Sequence, residues 1–331
     1  MEKEIKELMN DGILDTAAKR FGLKLTDLSY IGGFQNFVYE YLKEDRWYIL
    51  RITHSSHRSE NNLLGELDFI NYIHSNGVSV SRPIISVFGK LTEIIEIADS
   101  YFIVTSFEKA EGKKIHYPEC MNNDSLSEMC GEITGQIHAL SLNYLPQSIE
   151  KTRHDWTENN YLKNITRFIP STQHKIFEQY ELLQNQINGL KKERNYGIIH
   201  GDINVGNFLI NGEKLTLFDF DECQYSWFIE DIAIQLFYMV YVVLDDSIGE
   251  RNFQAQRFIQ CFLKGYKRHF SIDEDSLKSI PLFLKLRELI VYIGMYRSFN
   301  LANLDEWTAI YINESRRRIE TGLPIVAEIF D

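Results

Sequence analysis

Cysteine is scarce in this sequence, and no two cysteines stand close enough to form a Cys-x-x-Cys pair. The four cysteines are spread over a chain of 331 residues, at Cys120, Cys130, Cys223 and Cys261. Zinc clusters and thioredoxin-like redox motifs are built on such pairs, so the sequence indicates neither of them. Sparse cysteine in a chain of this length favours reduced thiols and a cytosolic (cytoplasmic) location.

An excess of basic residues is also missing. Lys and Arg number 35 against 47 Asp and Glu, which gives a formal net charge of −12. Because nucleic-acid phosphates attract basic surfaces, this charge argues against a general nucleic-acid partner. It is compatible with a cationic substrate attracted to an acidic cleft, and also with a charge that serves solubility alone.

Long apolar runs are absent as well. The most hydrophobic segment, Ile232 to Leu244, is short for a bilayer span and is flanked by Asp231 and Asp245, so we interpret it as a buried helix. The N-terminal segment, Met1 to Asn10, carries Glu and Lys without an apolar core, which argues against a secretory signal. We therefore expect no membrane partner.

Strand patterns dominate the first third of the chain. Runs of β-prone apolar residues predict strands at 28–31, 37–42, 47–52, 84–88, 91–97 and 101–105. Gly89 and Lys90 separate two of these runs, which predicts a hairpin there. Apolar residues at helical spacing from Leu63 to Ile73 predict one helix between the strands.

Helical periodicity dominates the chain from about residue 108. Helices are predicted around 126–140, 176–190, 228–243, 253–269, 282–299 and 306–320. The only strand-like segments in this part are 197–210 and 215–220, with a turn at Asn211-Gly212. The sequence therefore predicts an α+β fold with a β-rich lobe over 1–107 and a mainly helical lobe over 108–331. The polar segment Ser106 to Gly112 is the predicted hinge.

The catalytic candidates are concentrated at the predicted turn of the second lobe. His200 to Asn207 reads H-G-D-x-x-x-x-N, and Leu217 to Asp221 reads L-F-D-F-D. Phosphoryl transfer needs an oriented hydroxyl and metal ions that neutralise the phosphate charge. Asp202 can accept the proton of that hydroxyl. Asn207 and Asp219 offer oxygen ligands of the kind that Mg²⁺ prefers, and a tight hairpin would bring them to one end of a β-ribbon.

Protein kinases use a similar arrangement, with an H-R-D catalytic loop, a metal-binding Asn and a D-F-G Asp. Here Gly201 replaces the Arg, and Asp221 replaces the last Gly. These motifs, followed by Trp227 to Ala233, resemble the aminoglycoside phosphotransferase and choline kinase-like family, and the β-rich first part matches that family in order.

This resemblance implies a protein-kinase-like two-lobed fold and an ATP- and Mg²⁺-dependent phosphotransferase. By matching position, it implies that Asp202 is the catalytic base and that Asn207 and Asp219 are the magnesium ligands. Asp231 would be a buried acid that supports the catalytic loop. His200 is interpreted as a structural residue of that loop.

Candidate nucleotide-binding residues lie in the first lobe. Gly32 and Gly33, followed by Asn36, stand between two predicted strands, where glycine lets the backbone approach phosphates closely. A plain Gly-Gly hairpin turn is the alternative. The P-loop signature G-x-x-x-x-G-K-[ST] is absent, which disfavours a P-loop NTPase. At the hinge, the backbone of Ser106 and Phe107 is expected to contact adenine.

Arg51 occupies the strand that holds the phosphate-binding Lys of kinases, and Glu66 on the following helix is the expected ion-pair partner. Arginine and lysine are not interchangeable, so a surface arginine or a disabled nucleotide site remains the alternative. Glu60 and Asp68 compete with Glu66 for the pairing role.

A small acceptor is favoured over a protein substrate. Only nine residues separate Asp221 from Asp231, and no A-P-E motif follows, which leaves little room for a peptide-docking segment. The expected acceptor is a hydroxyl of an aminoglycoside, an amino alcohol or a sugar-like molecule. A nucleotide-binding pseudokinase and an atypical protein Ser/Thr kinase are the alternatives. The choice between ATP and GTP and the oligomeric state stay open.

Overall fold

The computed structural model describes residues 3–192 and 194–330. The described chain divides into two compact units. The first unit comprises the chain up to Glu111 together with 144–153 and 216–221, and the second comprises 112–143, 154–215 and the chain from Glu222 onwards. The sequence predicted one boundary after residue 107, whereas two later segments of the chain belong to the first unit.

A six-stranded antiparallel sheet forms the first unit. Its strands are β1 (Ser29–Gly32), β2 (Phe37–Lys43), β3 (Arg46–His54), β4 (Pro83–Ile84), β5 (Glu93–Ile97) and β6 (Ser100–Glu108). The spatial order is β1-β2-β3-β6-β4, and β5 also pairs with β6. The register of β3 on β6 places Arg51 opposite Thr105 and Leu50 opposite Ser106.

Three helices accompany this sheet: α1 (Lys3–Leu8), α2 (Asp11–Arg20) and α3 (Glu60–Ser75). Helix α3 was predicted, whereas the sequence interpretation missed α2. The side chain of Asn10 caps α2 by accepting hydrogen bonds from the amides of Gly12 and Ile13. Ala17 and Ala18 of α2 are fully buried in the core that the sheet contributes to. A capping Asn before periodic apolar residues was the available signal.

The predicted hairpin around Gly89 is wrong. Strand β4 ends at Ile84 and β5 begins at Glu93, and both strands pair with β6 rather than with each other. Ser86 organises the intervening loop, because its hydroxyl accepts from the amide of Phe88 and donates to the Glu93 carboxylate at 2.6 Å. The first residues of the predicted hinge lie in a strand, since β6 continues through Glu108, and the hinge itself stays a prediction.

The second unit is mainly helical. Its helices are α4 (Asp124–Ser141), α5 (Asn160–Lys163), α6 (Ile165–Phe168), α7 (His174–Asn188), α8 (Phe228–Val240), α9 (Ile248–Tyr266), α10 (Glu274–Lys278), α11 (Ile280–Ser298) and α12 (Glu306–Thr321). The six predicted helices are confirmed. Helix α8 packs against α9 and α11, and α4 packs against α9.

Two short ribbons surround the catalytic motif. Strand β7 (Tyr196–Ile199) pairs with β10 (Gln224–Trp227), and β8 (Phe208–Asn211) pairs with β9 (Lys214–Leu217). The single strand predicted over 197–210 is therefore wrong, because a loop separates β7 from β8. The division between the units passes through β9.

All four cysteines are buried free thiols. Within 3–192 and 194–330, none of the helices has both the length and the apolar character that crossing a membrane requires. The cytosolic location stays a prediction.

Candidate active site

The predicted site residues are distributed over both units. Asp202 and Asn207 belong to the second unit, and the first unit contains Gly32, Gly33, Asn36, Arg51, Glu66, Ser106, Phe107 and Asp219. Each group is described within its own unit.

One buried carboxylate holds the start of the loop between β7 and β8 through hydrogen bonds to its backbone. Asp231, in the first turn of α8, accepts hydrogen bonds from the amides of His200 (2.9 Å) and Gly201 (2.8 Å). It also lies 3.3 Å from Nε2 of His138. Burial alone would raise the pKa of Asp231, but the contact with His138 and the amide hydrogen bonds hold it below its ordinary value. Asp231 therefore fixes the backbone just before Asp202.

Glycine is required at position 201 for two reasons. Its φ of +80° lies in the left-handed region, and a Cβ there would meet the carbonyl oxygen of Glu222 at 2.3 Å. The Arg of the protein-kinase pattern would not fit this backbone. The departure from H-R-D is therefore explained by the local path of the loop.

Asp202 and Asn207 contact each other directly. The side-chain nitrogen of Asn207, Nδ2, donates to Oδ2 of Asp202 at 2.9 Å and to the backbone carbonyl oxygen of Asp202 at 2.8 Å. Because both neighbours are acceptors, the nitrogen must face Asp202, and the amide oxygen turns away from it. The side chain of Asp202 is 25% exposed, so a substrate can reach it. Burial raises the pKa of Asp202 above its ordinary value, and the charge of Arg287 opposes this effect.

Two residues that the sequence interpretation missed complete the surroundings of Asp202. The guanidinium of Arg287 on α11 donates to Oδ1 of Asp202, and the hydroxyl of Tyr238 on α8 lies 3.5 Å from the same oxygen. Arg287 is buried, although arginine is seldom buried without a partner. An arginine among the apolar residues of α11 was the only signal in the sequence.

In the first unit, Arg51 and Glu66 form a buried bidentate ion pair. Nη1 and Nη2 of Arg51 each donate to one carboxylate oxygen of Glu66 at 2.8 Å. Burial disfavours the charged guanidinium, but Glu66 outweighs this effect and raises the pKa of Arg51. Of the competing acids, Glu60 accepts from Thr92 and Asp68 accepts from Tyr144. Arg51 is not a surface residue.

Asp219 lies beside this pair, with Oδ1 at 3.8 Å from Nη1 of Arg51. Its side chain is 48% exposed, and its φ of +64° lies in the left-handed region. Few residues other than glycine adopt this conformation, and Asp and Asn tolerate it best. The neighbouring Phe220 is buried and packs edge-on against Phe69 of α3 at 6.3 Å. Phe220 thus anchors the segment while Asp219 stays accessible.

The glycine turn between β1 and β2 requires glycine at position 33. Gly33 has a φ of +131°, and a Cβ there would lie 1.9 Å from the carbonyl oxygen of Asn36. The buried Asn36 accepts a hydrogen bond from the Thr53 hydroxyl at 2.7 Å, which ties the turn to β3. The turn is thus a fixed backbone feature, and its contact with a nucleotide stays a prediction.

Ser106 and Phe107 are strand residues with neighbours on both sides. Ser106 lies opposite Leu50 of β3 and Ile84 of β4, and Phe107 lies opposite Ile49 and Pro83. The Phe107 ring lies under the guanidinium of Arg51, with its centroid 4.9 Å from Cζ. Phe107 therefore supports the ion pair, while its contact with adenine stays a prediction.

Asp221 is a further charged residue whose role the sequence did not reveal. Its carboxylate contacts Nε2 of His57 at 2.5 Å and Nε of Arg58 at 3.2 Å, and its carbonyl oxygen accepts from Arg153 at 2.6 Å. Burial alone would raise the pKa of Asp221, but His57 and Arg58 hold it well below its ordinary value. Asp221 is thus a buried anchor two residues after Asp219.

Asn207 in the second unit and Asp219 in the first each carry an oxygen atom that suits a divalent cation. Asn207 offers an amide oxygen that its own hydrogen bonds turn away from Asp202. Asp219 offers a half-exposed carboxylate. Mg²⁺ prefers one or two carboxylates supplemented by neutral oxygen ligands. Each residue by itself therefore offers an oxygen ligand of the kind that a divalent cation takes, and their joint role as magnesium ligands stays a prediction.

Comparison with solved structures defines the class of protein. The chain resembles a solved structure of amicoumacin kinase in complex with AMP-PNP, Ca²⁺ and Ami, with a TM-score of 0.90 and 32% identity, covering 99% of this chain and 98% of that one. It also shares its fold with a microcompartment-associated aminopropanol kinase, with a TM-score of 0.74, 18% identity and coverage of 96% and 100%. The predicted protein-kinase-like α+β phosphotransferase fold is confirmed.

Sequence comparison then gives the family. The chain belongs to the phosphotransferase enzyme family, whose model matches residues 28–268. It is 32% identical over 330 residues to amicoumacin kinase of Bacillus subtilis (strain 168), covering 99% of this chain and 97% of that protein. The resemblance found in the motifs is confirmed, and the chain is a small-molecule kinase that phosphorylates an alcohol.

Proposed function

We propose that this kinase transfers the γ-phosphoryl group of ATP to a hydroxyl of amicoumacin or of a closely related acceptor. The proposal depends above all on one observation, the similarity to amicoumacin kinase over almost the full length of both chains. Proteins of lower identity have the same fold but act on other acceptors, as the aminopropanol kinase does. The fold alone therefore does not identify the substrate.

Asp202 is the base in this proposal. Its accessible carboxylate takes the proton of the acceptor hydroxyl as the new bond between oxygen and the γ-phosphorus forms. The bond between the γ-phosphorus and the β–γ bridging oxygen breaks, and ADP leaves with that electron pair. Asn207 restrains the carboxylate through its hydrogen bond to Oδ2.

Asn207 and Asp219 would hold Mg²⁺ through their oxygen atoms. When bound, the metal would neutralise the charge of the phosphate oxygens. Arg51 would bind phosphate oxygens while Glu66 fixes its guanidinium, and the Gly32-Gly33 turn would bring backbone amides to the phosphates. Ser106 and Phe107 remain the predicted adenine contacts.

A cluster of aromatic side chains next to Asp202 supports a bulky acceptor with an apolar part. Tyr238 contacts Asp202 and packs against Tyr241 at 5.4 Å between ring centroids. Tyr241 in turn packs against Tyr117 at 5.8 Å and Trp307 at 6.1 Å. We call these four residues the tyrosine cluster. All four are half-buried, so part of each ring remains available to a ligand.

The acidic residues near the C-terminal helices do not favour a cationic acceptor at Glu288, which has a partner of its own. Glu288 is buried and paired with Arg318, whose Nε donates to it at 2.8 Å. Among the other acids near the C-terminal helices, Asp305 caps α12 by accepting from the amide of Thr308 at 2.9 Å.

The test is a transfer assay with the purified full chain, ATP, Mg²⁺ and amicoumacin, read by mass spectrometry as the gain of one phosphoryl group. Spectinomycin, an aminopropanol and casein serve as competing acceptors. Amicoumacin should be the preferred substrate, and Asp202→Asn should lower kcat by at least about a thousandfold. Asp275→Asn, which changes an exposed acid of α10, should leave kcat unchanged.

Preferred phosphorylation of another acceptor would contradict the acceptor assignment. Wild-type turnover in Asp202→Asn would contradict the base assignment. Full turnover without any divalent cation would contradict the roles given to Asn207 and Asp219.

A further inference from the structure

The carboxylate of Asp202 is held by donors on both oxygens. Oδ2 accepts a hydrogen bond from the side-chain nitrogen of Asn207, while Oδ1 faces the guanidinium of Arg287 and the Tyr238 hydroxyl. An ionised carboxylate offers about four lone-pair sites. Arg287 takes one site of Oδ1 and Asn207 takes one site of Oδ2, while the Tyr238 hydroxyl flanks Oδ1 at 3.5 Å and limits access to its second site. The second site of Oδ2 is where an acceptor hydroxyl can donate its proton.

Arg287 is placed by several contacts at once. Its Nη2 donates to the Tyr238 hydroxyl at 2.5 Å, and its Nη1 lies 3.4 Å from the carbonyl oxygen of Gly201. The guanidinium also lies against the Tyr238 ring, with Cζ at 4.9 Å from the centroid. Since α11 packs against α8, the position of Arg287 follows from the packing of two helices rather than from a mobile surface contact.

One donor of Arg287 is left without a partner. Its Nε is buried and, among the described residues, has no hydrogen-bond acceptor. Buried polar groups are usually satisfied, because an unpaired buried donor costs stability. The polar contacts that Arg287 does make go to Asp202, to the carbonyl oxygen of Gly201 and to the Tyr238 hydroxyl.

We propose that Arg287 is a positioning residue, which fixes the carboxylate of Asp202 so that Oδ2 faces the acceptor hydroxyl. The inference rests on the proposed role of Asp202 as the base. It assigns Arg287 no contact with either substrate. The rival role, direct binding of the transferred phosphoryl group by Arg287, makes different predictions about kinetics.

The first experiment compares Arg287→Ala, Arg287→Lys and the control Lys285→Ala, which removes another cation from α11. Arg287→Ala should lower kcat by about a hundredfold, because a displacement of about 1 Å at a reacting group has this effect. The KM values for ATP and acceptor should stay within about threefold, since neither substrate loses a contact. Lys285→Ala should behave as wild type.

Rescue separates positioning from a structural role. Added guanidinium at millimolar concentration should restore kcat of Arg287→Ala by about tenfold and leave the wild type unchanged, because the ion can occupy the vacated place. Arg287→Lys should recover less than the guanidinium-rescued variant. A single ammonium cannot contact the carboxylate, the hydroxyl and the carbonyl oxygen together. Thermal melting of each variant reports whether the fold is kept.

The second experiment places Arg287→Ala in the Asp202→Asn background. If Arg287 acts only through Asp202, the residual rate of the double variant should equal that of Asp202→Asn within about twofold. A further loss would overturn the inference in favour of direct phosphoryl binding. A folded Arg287→Ala variant with wild-type kcat would overturn it as well, and if this variant does not fold, a wild-type kcat in Arg287→Lys has the same meaning.

The two proposals fail in distinguishable ways. An active Asp202→Asn variant contradicts the base assignment, and the role of Arg287 falls with it. An inactive Asp202→Asn variant beside a fully active Arg287→Ala variant contradicts the role of Arg287 alone.

Discussion

Arg51 illustrates how the environment of a residue decides what a substitution means. The guanidinium fork meets both oxygens of Glu66 at equal distances, lies on the ring of Phe107 and lies near Asp219. A lysine could not make the paired contact, because its ammonium is a single point of donation. Arginine at this position therefore fits a buried ion pair, and the substitution gives no reason to expect a disabled site.

Glu230, a buried carboxyl next to Asp231, is expected to make stability depend on pH. It accepts from Gln224 at 3.1 Å and from the Ser226 hydroxyl. Burial raises the pKa of Glu230 from its ordinary 4.5 to about 7. Between these two values the folded chain keeps the proton that the unfolded chain has lost. The free energy of unfolding should therefore fall as pH rises from about 4.5 to 7 and level off above 7.

Glu230→Gln tests this expectation, because glutamine keeps the shape and remains neutral. The variant should gain up to about 3 kcal/mol over the wild type between pH 5 and pH 8, since one pKa unit corresponds to about 1.4 kcal/mol. Urea unfolding of both proteins at several pH values measures the difference. Parallel pH profiles would show that Glu230 is ionised in the folded protein throughout this range.

Residues with local sequence signals were predicted well, whereas those brought in from a distance were not. The pairing of Arg51 with Glu66 could be expected because a strand followed by a helix places them close together. Arg287 lies 85 positions from Asp202, and only the packing of α11 brings it there. Spacing in the sequence carries no information on that contact. The contacts of Tyr238 with Asp202 and of His57 with Asp221 were not predicted for the same reason.

Among the elements, the loop between β7 and β8 depends most strongly on one glycine. Gly201→Ala should displace the loop, because the added Cβ would collide with the carbonyl oxygen of Glu222 and the φ of +80° is strained for alanine. We expect kcat to fall by about a hundredfold. We also expect a loss of about 1–3 kcal/mol in the free energy of unfolding, measured with urea.

Gly212→Ala is the matched control for this variant. Gly212 has a φ of +62° in the turn of the β8–β9 ribbon, but a Cβ there would meet nothing within 4 Å. Gly212→Ala should lower the free energy of unfolding by about 1–2 kcal/mol through backbone strain. Its kcat should stay close to that of the wild type. Equal kcat losses in both variants would show that backbone strain, rather than the collision with Glu222, controls the loop.

Elements with long periodic patterns were predicted correctly, and short ones were not. The six helices of the second unit have apolar residues at regular spacing, which only a helix can bury on one side. The Gly89-Lys90 pair gave a sound turn signal, yet the flanking residues do not pair with each other. Strand partners are chosen by the whole sheet, and β6 satisfies β4 and β5 at different parts of its length.

For the whole molecule, the chemistry and the choice of acceptor have different origins. The motifs that carry the chemistry lie within 200–231 and could be interpreted from the sequence. The tyrosine cluster draws on segments spread over Tyr117 to Trp307, and no motif connects them. Family membership therefore predicted the reaction, while the acceptor had to be inferred from full-length similarity and from side chains that only the fold brings together.

Trp307→Ala tests whether the tyrosine cluster binds the acceptor. Removing the indole should raise the KM for amicoumacin by about tenfold, equivalent to about 1.4 kcal/mol, which is within the range for one lost aromatic contact. The KM for ATP should stay within about twofold. Trp47→Ala in the first unit is the control, because it removes an accessible indole that lies outside the cluster. A change in ATP affinity, or an unchanged KM for amicoumacin, would place the apolar part of the acceptor elsewhere and leave the cluster as a packing feature of α8 and α12.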